Sequence, residues 1–269
     1  MPLSGDTATT IPILNNKGGI GKTTTAVNLA AALSRIDQSV LLVDMDSQAS
    51  ASLSLGLERS ALSPSVAEVL FDETSIETAI RALPSESFDL LPASLDLSEA
   101  DTRLFESDDR HHRLTRALDE VDPLYDIVIL DCPPSTSLLT LNAMIAGDAL
   151  IIPVSPGYLA LEGIVQLGDV ITQGRSNLGD ATPVLGLLLT MVERDAEESA
   201  VISQVRDHYG EKVFATEIRT DPALRRAAAE GTSIFTHAPS SPGREDHSAL
   251  AQEVLERIKQ YSATPSPSA

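Results

Sequence analysis

Cysteine, tryptophan, lysine and long apolar runs are scarce or absent in this chain of 269 residues. The single cysteine, Cys132, has no second thiol with which to form a disulfide or hold an iron–sulfur cluster, which excludes disulfide-rich secreted domains and cysteine-held clusters. No stretch of about 18 apolar residues is present, so we expect no segment that spans a membrane. The first ten residues are polar and lack a basic start, so we expect no signal peptide and a cytoplasmic location.

Positive charge is also scarce, because 39 acidic residues oppose 19 basic ones and only four of the basic residues are lysines. Two of these, Lys17 and Lys22, lie in one glycine-rich segment, so lysine is almost missing elsewhere. A strongly acidic surface stays hydrated and repels itself, and salt screens that repulsion. The composition therefore indicates adaptation to high salt, and we expect a halophilic source.

The glycine-rich segment has the order of a phosphate-binding loop and reads Asn16-Lys17-Gly18-Gly19-Ile20-Gly21-Lys22-Thr23-Thr24. An apolar run precedes it and a helix-forming run follows, which is the context that such a loop requires. Glycines free the backbone so that N–H groups can surround phosphate oxygens, while Lys22 can reach the β and γ phosphates. Lys17 is an additional lysine on the outer rim, from which it could reach the ligand of a neighbouring subunit. An ordinary surface turn is the alternative, but it does not account for this residue order.

Two further apolar runs end in carboxylates: Val40–Val43 leads to Asp44 and Asp46, and residues 127–130 lead to Asp131. Because the carboxyl ends of parallel strands meet at the edge where ligands bind, we expect these side chains beside the phosphates. Asp131 stands where a carboxylate would reach Mg²⁺, usually through water, with Thr23 in the inner shell. Asp44 and Asp46 suit one residue that orients the attacking water and one that holds a switch segment, although either could instead cap a helix.

Apolar and helix-forming segments alternate in a way typical of an α/β fold with a doubly wound, mainly parallel sheet and helices on both faces. The patterns predict strands at 11–14, 40–44, 88–92, 126–130, 149–154, 184–190 and 213–216. They predict helices at 21–36, 65–71, 76–83, 98–120, 137–146, 159–177, 197–209, 222–230 and 248–261. We expect one domain over residues 11–261, with flexible polar tails at 1–10 and 262–269.

In this order, the motifs resemble those of the ParA/MinD group of deviant-Walker P-loop ATPases, and most closely those of small chromosomal ParA (Soj-like) proteins. The matching segments are Lys17-Gly-Gly-Ile-Gly-Lys22-Thr-Thr, Val40-Leu-Leu-Val-Asp44-Met-Asp46-Ser-Gln48 and Ile129-Leu-Asp131-Cys-Pro-Pro-Ser135. Pro153-Val154 with Ala160-Leu161-Glu162-Gly163, Leu189-Thr190-Met191 and His237-Ala238-Pro239-Ser240-Ser241-Pro242-Gly243 extend the resemblance over residues 11–261. The single cysteine disfavours the nitrogenase-iron-protein and cluster-carrier branches of the same superfamily.

The resemblance implies ATP or ADP with Mg²⁺ as cofactors and a weak intrinsic ATP hydrolysis. It assigns catalysis to Lys17, Lys22 and Asp46, the metal to Thr23, Asp46 and Asp131, and the surroundings of the adenine to Thr190 and Met191. The residues implied to bind the cofactor are Lys17, Gly18, Gly19, Ile20, Gly21, Lys22, Thr23, Thr24, Asp131, Thr190 and Met191.

The resemblance also implies a working cycle. In the ATP state two subunits would close into a homodimer, with each Lys17 contacting the nucleotide of the other subunit. A ParB-like protein with a basic amino-terminal peptide would stimulate turnover, and the cycle would partition or position a chromosome, a plasmid or another cargo.

Soj-like relatives carry basic residues that coat nonspecific DNA in the segment after the last predicted strand. Here that segment offers Arg219, Arg225 and Arg226, while Thr220 and Ala223 stand where arginine is expected. Two interpretations stay open: a shifted basic patch that would bring the dimer to the nucleoid, or an ordinary solvated helix. Salt weakens phosphate contacts steeply, so a halophilic protein would need more of them.

Two functions other than partitioning fit the same motifs. A MinD-like, membrane-recruited regulator would need a basic amphipathic helix at its carboxyl end. Glu253 and Glu256 offset Arg257 and Lys259 there, so we expect core packing rather than a membrane partner. A nucleotide-dependent scaffold with little hydrolysis is the other alternative, and the carboxylates of the predicted site argue against it.

Overall fold

The computed structural model describes residues 7–135, 137–156, 182–193 and 195–263. Eight strands in these ranges form one sheet: β1 (Thr9–Ile13), β2 (Val40–Asp44), β3 (Arg81–Ala82), β4 (Asp89–Leu91), β5 (Ile127–Asp131), β6 (Leu150–Val154), β7 (Val184–Val192) and β8 (Val213–Arg219). Their order is β3-β4-β2-β5-β1-β6-β7-β8, and among these pairs only β3 and β4 run antiparallel. The predicted, mainly parallel sheet is therefore confirmed.

The helices of the described ranges cover both faces of the sheet. They are α1 (Lys22–Ser34), α2 (Ser50–Ser54), α3 (Val66–Leu70), α4 (Ile76–Ala79), α5 (Ala100–Arg103), α6 (Arg113–Asp119), α7 (Leu138–Ala146), α8 (Ala196–Tyr209), α9 (Pro222–Ala229), α10 (Ile234–His237) and α11 (Pro242–Ala263). Two hydrophobic clusters result, and neighbouring residues of β2, such as Leu41 and Leu42, belong to different clusters. This division follows from the alternation of side chains along a strand, and it confirms the doubly wound arrangement.

The centre of the sheet sets up the functional edge. Every residue of β1, β2 and β5 is buried, as expected for parallel strands covered on both faces. Asp44, the last residue of β2, lies opposite Asp131, the last residue of β5. The loop that leaves β1 on the other side of β5 leads directly into α1. One edge therefore gathers the predicted loop and the predicted carboxylates.

β1 begins two residues before the predicted start and contains a proline, Pro12, at its fourth position. The alternation along the strand turns the missing N–H toward β6, where the register holds a single pair, Ile13 with Ile151. Gly147 makes room for the proline ring, because a Cβ at that position would lie 2.5 Å from Pro12 Cγ. A proline is thus accommodated in a central strand at the cost of a short β1–β6 ladder.

The segment 98–120, predicted as one helix, is interrupted. A 3-10 turn at Leu95–Glu99 precedes α5, and irregular chain separates α5 from α6. Within this break, Ser107 Oγ donates to Asp109 Oδ1 at 2.6 Å, and the same carboxylate oxygen accepts from Arg113 Nε at 2.8 Å. Short polar side chains offer local hydrogen bonds of this kind, which compete with the helix.

The segment 76–83, also predicted as a helix, stops at Ala79 and continues into the edge strand β3. The guanidinium of Arg81 donates to the carbonyl oxygens of Leu62 and Pro64 at 3.1 and 3.0 Å. These bonds anchor the chain to the loop before α3, so tertiary contacts override a helical pattern.

At the carboxyl end, α11 begins six residues before the predicted start. Pro242 suits a first helical position because it has no N–H to satisfy, and Ser241 Oγ accepts from the backbone N–H of Arg244 at 3.2 Å. The helix predicted at 159–177 and the motif residues Ala160 to Gly163 lie outside the described residues. Of the helices that the structure describes, none has the length and apolarity needed to cross a membrane.

Candidate functional site

The loop between β1 and α1 has the backbone that its sequence predicts. Gly19 and Gly21 adopt φ values of 72° and 86°, a region that residues with a side chain rarely enter. Lys22 follows as the first residue of α1 and is buried, and its Nζ donates to the carbonyl oxygen of Lys17 at 2.9 Å. Burial lowers the pKa of this ammonium from its ordinary value, and the carboxylate of Asp131 opposes that shift. The loop therefore closes on its own lysine at the amino end of a helix.

Two buried side chains hold the loop in place. Asn15 Nδ2 donates to the carbonyl oxygen of Pro153 at 2.8 Å, and Asn15 Oδ1 accepts from the N–H of Lys17 at 3.0 Å. Thr190 Oγ1, at the end of β7, donates to the carbonyl oxygen of Ile20 at 2.8 Å. Sequence reasoning missed Asn15, because its partner lies 138 residues away. Thr190, which the family resemblance placed near the base, also supports the loop backbone.

The outer lysine of the loop differs from the inner one. Lys17 is exposed, and its ammonium makes no hydrogen bond or ion pair with the described residues. It is therefore free to contact a group outside its own subunit.

Asp131 is the most unusual group of the site. It is 1% exposed, and no described residue donates to either carboxylate oxygen with good hydrogen-bond geometry. Burial raises the pKa of this carboxyl well above its ordinary value, neighbouring Asp44 and Asp46 raise it further, and the Thr23 hydroxyl and the Lys22 ammonium lower it in part. A buried carboxylate with no hydrogen bond of good geometry, close to the Thr23 hydroxyl, fits a site completed by a cation.

The protein alone does not complete such a cation site. In the described ranges, no three His, Cys, Asp or Glu side chains are grouped so that they could hold a metal ion. A cation at this edge would therefore take most of its ligands from phosphate oxygens and water, with Thr23 and Asp131 as the protein groups beside it. Mg²⁺ is usually bound in this way in phosphate sites.

The two aspartates after β2 have different surroundings. Asp44 Oδ2 accepts from the N–H and the Oγ–H of Ser52 at 2.9 and 2.7 Å, and Asp44 Oδ1 accepts from the N–H of Asp46 at 3.2 Å. Burial raises the pKa of Asp44 to about 6, although the hydrogen bonds from Ser52 and Asp46 lower it in part. Asp46 is only half-buried and lines the cleft. Asp44 is thus committed to holding the chain, while Asp46 is available to a ligand.

An open cleft of about 670 Å³ lies against the loop. Asp46, Ser50 and Pro134 are among the residues that line it. Its other walls come from the end of β7, with Thr190 and Met191, and from the segment joining β8 to α9, which lines it with Ile218, Arg219, Thr220, Asp221, Pro222, Leu224 and Arg225. We call this second part, from Met191 and residues 218–225, the distal end. Sequence reasoning did not identify residues 218–225 as a wall, although the carboxyl end of a parallel strand was the available signal.

The three arginines considered for DNA therefore do not form one free basic patch. Arg219 lines the cleft and is paired with Asp246, with its guanidinium at 2.6 to 3.0 Å from that carboxylate, and it also contacts Glu245 at 3.3 Å. Arg225 lines the cleft as well, whereas Arg226 is exposed and lies outside it. Of these three arginines, Arg226 alone lies outside the cleft lining and makes no ion pair with a described residue.

Comparison with known proteins agrees with this geometry. Residues 8–189 match a family model described as an AAA domain. The chain is 40% identical to the sporulation initiation inhibitor protein Soj of Bacillus subtilis (strain 168) over 245 residues, which cover 91% of this chain and 97% of that protein. It is 40% identical to the chromosome-partitioning ATPase Soj of Thermus thermophilus over 251 residues, which cover 93% of this chain and 96% of the relative.

Solved structures share the fold over almost the whole chain. Cobyrinic acid a,c-diamide synthase from Mycobacterium smegmatis, with a bound ATP analogue and magnesium, is 31% identical with a TM-score of 0.82, covering 97% of this chain and 100% of that chain. The cell division ATPase MinD of Pyrococcus furiosus is 26% identical with a TM-score of 0.76, covering 93% of this chain and 99% of that chain.

Proposed function

The chain belongs to the ParA/MinD family of P-loop ATPases, and from that premise we propose that it is a ParA-type ATPase that partitions or positions DNA or another cargo. The observation that carries the proposal is the edge where one phosphate loop presents an exposed Lys17 and a buried Lys22 close to Asp131, a buried carboxyl group with no hydrogen bond of good geometry. We propose further that ATP joins two subunits and that hydrolysis is slow until a partner stimulates it.

The cofactors are ATP or ADP and Mg²⁺, as in the solved relatives that hold an adenine nucleotide with magnesium. Loop N–H groups and the amino end of α1 would receive the phosphates, and Lys22 would leave the carbonyl oxygen of Lys17 to contact them. Thr23 and Asp131 would hold the cation, with Asp46 facing the same space. Bound Mg²⁺ would neutralise charge on the phosphate oxygens.

Asp46 is the proposed partner of the attacking water. It lines the cleft, and its Oδ1 accepts from the N–H of Gln48 at 2.9 Å, which orients the carboxylate. Asp46→Ala should keep ATP-dependent dimers while suppressing phosphate release, because binding rests on the loop and the water loses its acceptor. Phosphate release at the wild-type rate would remove Asp46 from this role.

Lys17 is the proposed link between subunits. Facing phosphate loops would bring several negative charges to one seam, and a cation donated from each side would offset them. Sedimentation of the wild type, Lys17→Ala and the control Lys212→Ala with Mg·ATP tests this arrangement, because Lys212 is an exposed lysine in the turn after α8. We expect Lys17→Ala alone to remain monomeric. Equal dimerisation of all three proteins would contradict the role given to Lys17.

Nonspecific DNA and a ParB-like stimulating protein are the proposed partners, and the cytoplasm, at the nucleoid, is the proposed location. DNA binding is tested by comparing the retention of nonspecific DNA by the protein with ATP and with ADP at increasing salt. The stimulating partner is tested by measuring phosphate release in the presence of a basic peptide. The expected halophilic source stays a prediction. A membrane-recruited role finds no support in α11, because Leu250 and Val254 on its apolar face are buried in the core.

A further inference from the structure

The described residues at the distal end of the cleft provide apolar surfaces but no aromatic ring. Met191, Ile218, Pro222 and Leu224 line it, and no Phe, Tyr, Trp or His is among the described lining residues. Met191 is 45% exposed and adopts a φ of 58°, an unusual value for a residue with a side chain. A flat, polarisable ligand group that enters this end would therefore meet aliphatic and thioether surface but no ring from the described residues on which to stack.

Two guanidinium groups line the cleft at this end, and only one of them is available. Arg219 is bound to Asp246 and Glu245 and has little freedom to serve a ligand. Arg225 is exposed to the cleft and makes no hydrogen bond or ion pair with any described residue. Its neighbour Arg226 is equally exposed but does not line the cleft.

The helix that carries Arg225 is fixed at the cleft. Asp221 Oδ1 accepts from the N–H of Ala223 at 2.8 Å and caps α9, while Asp221 Oδ2 accepts from the N–H of Gly243 at 2.9 Å at the start of α11. One carboxylate therefore joins the amino ends of two helices. Arg225, one turn into α9, projects from a supported backbone rather than from a loose loop.

We propose that Arg225 lays its guanidinium on the nucleobase and closes the distal end of the cleft, so that it belongs to the nucleotide site and not to a DNA surface. This inference rests on the proposed nucleotide-binding function. The phosphates already have the loop N–H groups and Lys22, whereas the described residues offer the base no aromatic partner. A planar guanidinium supplies a face for stacking and a positive charge over the π-system. Arg225 would therefore discriminate a complete nucleotide from its phosphate chain alone.

Calorimetric titration with Mg·ADP and with Mg·pyrophosphate separates the base from the phosphates, and ADP avoids both hydrolysis and ATP-driven pairing. The proteins are the wild type, Arg225→Ala, Arg225→Lys and the matched control Arg226→Ala. We expect Arg225→Ala to weaken ADP binding roughly five- to tenfold, as for loss of a partly exposed cation–π contact, with pyrophosphate binding unchanged. Arg226→Ala should match the wild type for both ligands.

The lysine variant distinguishes a planar face from a charge. Arg225→Lys should lose most of the ADP affinity that Arg225→Ala loses, because an ammonium keeps the charge but not the flat surface. The proposal is overturned if Arg225→Ala binds ADP like the wild type, if ADP and pyrophosphate lose affinity equally, or if Arg225→Lys retains full affinity. A wild type that binds neither ligand would instead refute the proposed function.

Discussion

Ser52, which lies in α2 eight residues after Asp44, offers a sharp test of how the site is held together. It is fully buried in α2, and its Oγ donates to Asp44 Oδ2 at 2.7 Å while accepting from the N–H of Ala93 at 3.1 Å. The hydroxyl therefore connects the end of β2 to the chain that follows β4. Asp44 in turn accepts from the N–H of Asp46, so the same connection supports the cleft-lining carboxylate.

The change Ser52→Ala removes both bonds. A hydrogen bond to a charged group contributes about 1.5–3 kcal/mol, and leaving a buried N–H without its acceptor costs about 1–3 kcal/mol. Because both bonds share one hydroxyl, we expect a loss nearer the lower sum, about 3 kcal/mol in the free energy of unfolding. For a chain of this size that corresponds to a fall in Tm of roughly 6–12 °C.

The control is Ser54→Ala in the same short helix. Ser54 is half-buried, and its Oγ donates only to the carbonyl oxygen of Ala51 at 2.9 Å, so we expect a change of no more than about 0.5 kcal/mol. Thermal unfolding at pH 7.5 without nucleotide, where the Asp44 carboxylate is ionised in the fold, compares the two variants. Equal Tm values for Ser52→Ala and Ser54→Ala would refute the reasoning. We also expect slower phosphate release from Ser52→Ala with unchanged ADP affinity, since the phosphate loop does not depend on this bond.

Two further predictions concern α11. His247 is fully buried, its Nε2 has no partner among the described residues, and burial lowers its pKa from 6.5. Below about pH 6.5 the unfolded chain therefore binds a proton that the folded chain does not. The free energy of unfolding should fall as the pH drops through this range, by up to about 1.4 kcal/mol per pH unit from this group. Urea unfolding between about pH 7.5 and 5.5 should show a weaker pH dependence for His247→Gln, and parallel curves for the two proteins would contradict this. Glu253 accepts from the N–H groups of Ala215 and Thr216 in edge strand β8 at 2.8 and 2.9 Å. Glu253→Ala should leave these N–H groups of the edge strand without their acceptor, lower the Tm and promote aggregation. Light scattering on heating tests this against Glu256→Ala, an exposed change in the same helix, and identical scattering would exclude edge protection as the role of Glu253.

Much of the site could be predicted because its signals are local. The loop from Asn16 to Thr24 needs glycines and a following helix, and both lie within one short segment. Asp44 and Asp131 end apolar runs, and in a parallel sheet such ends meet at one edge, so their location beside the loop follows from the pattern. Their direct pairing in register is a finding of the structure. The mainly parallel sheet could be predicted in the same way, because alternating strand and helix patterns are local, and the structure confirms it.

Other features could not be read from the sequence, because they depend on partners far along the chain. Asn15 supports the loop through a hydrogen bond to Pro153, and the charge of Arg219 is neutralised by Asp246, which lies in α11. The break in the helix predicted at 98–120 arises where Ser107 and Asp109 bond locally, and no apolar periodicity reports such bonds.

Sequence by itself determined the alternating α/β pattern with its mainly parallel sheet, the phosphate loop and the edge at which the carboxylates collect, since short-range geometry and burial on both faces of a sheet dictate these. Tertiary structure alone decided which charged groups are free. Asp44 is held by Ser52 while Asp46 faces the cleft, and Arg219 is paired while Arg225 is not. The physical reason is that a charge is available to a ligand only when no neighbour brought by the fold has already satisfied it, and identical residue types differ only in those neighbours.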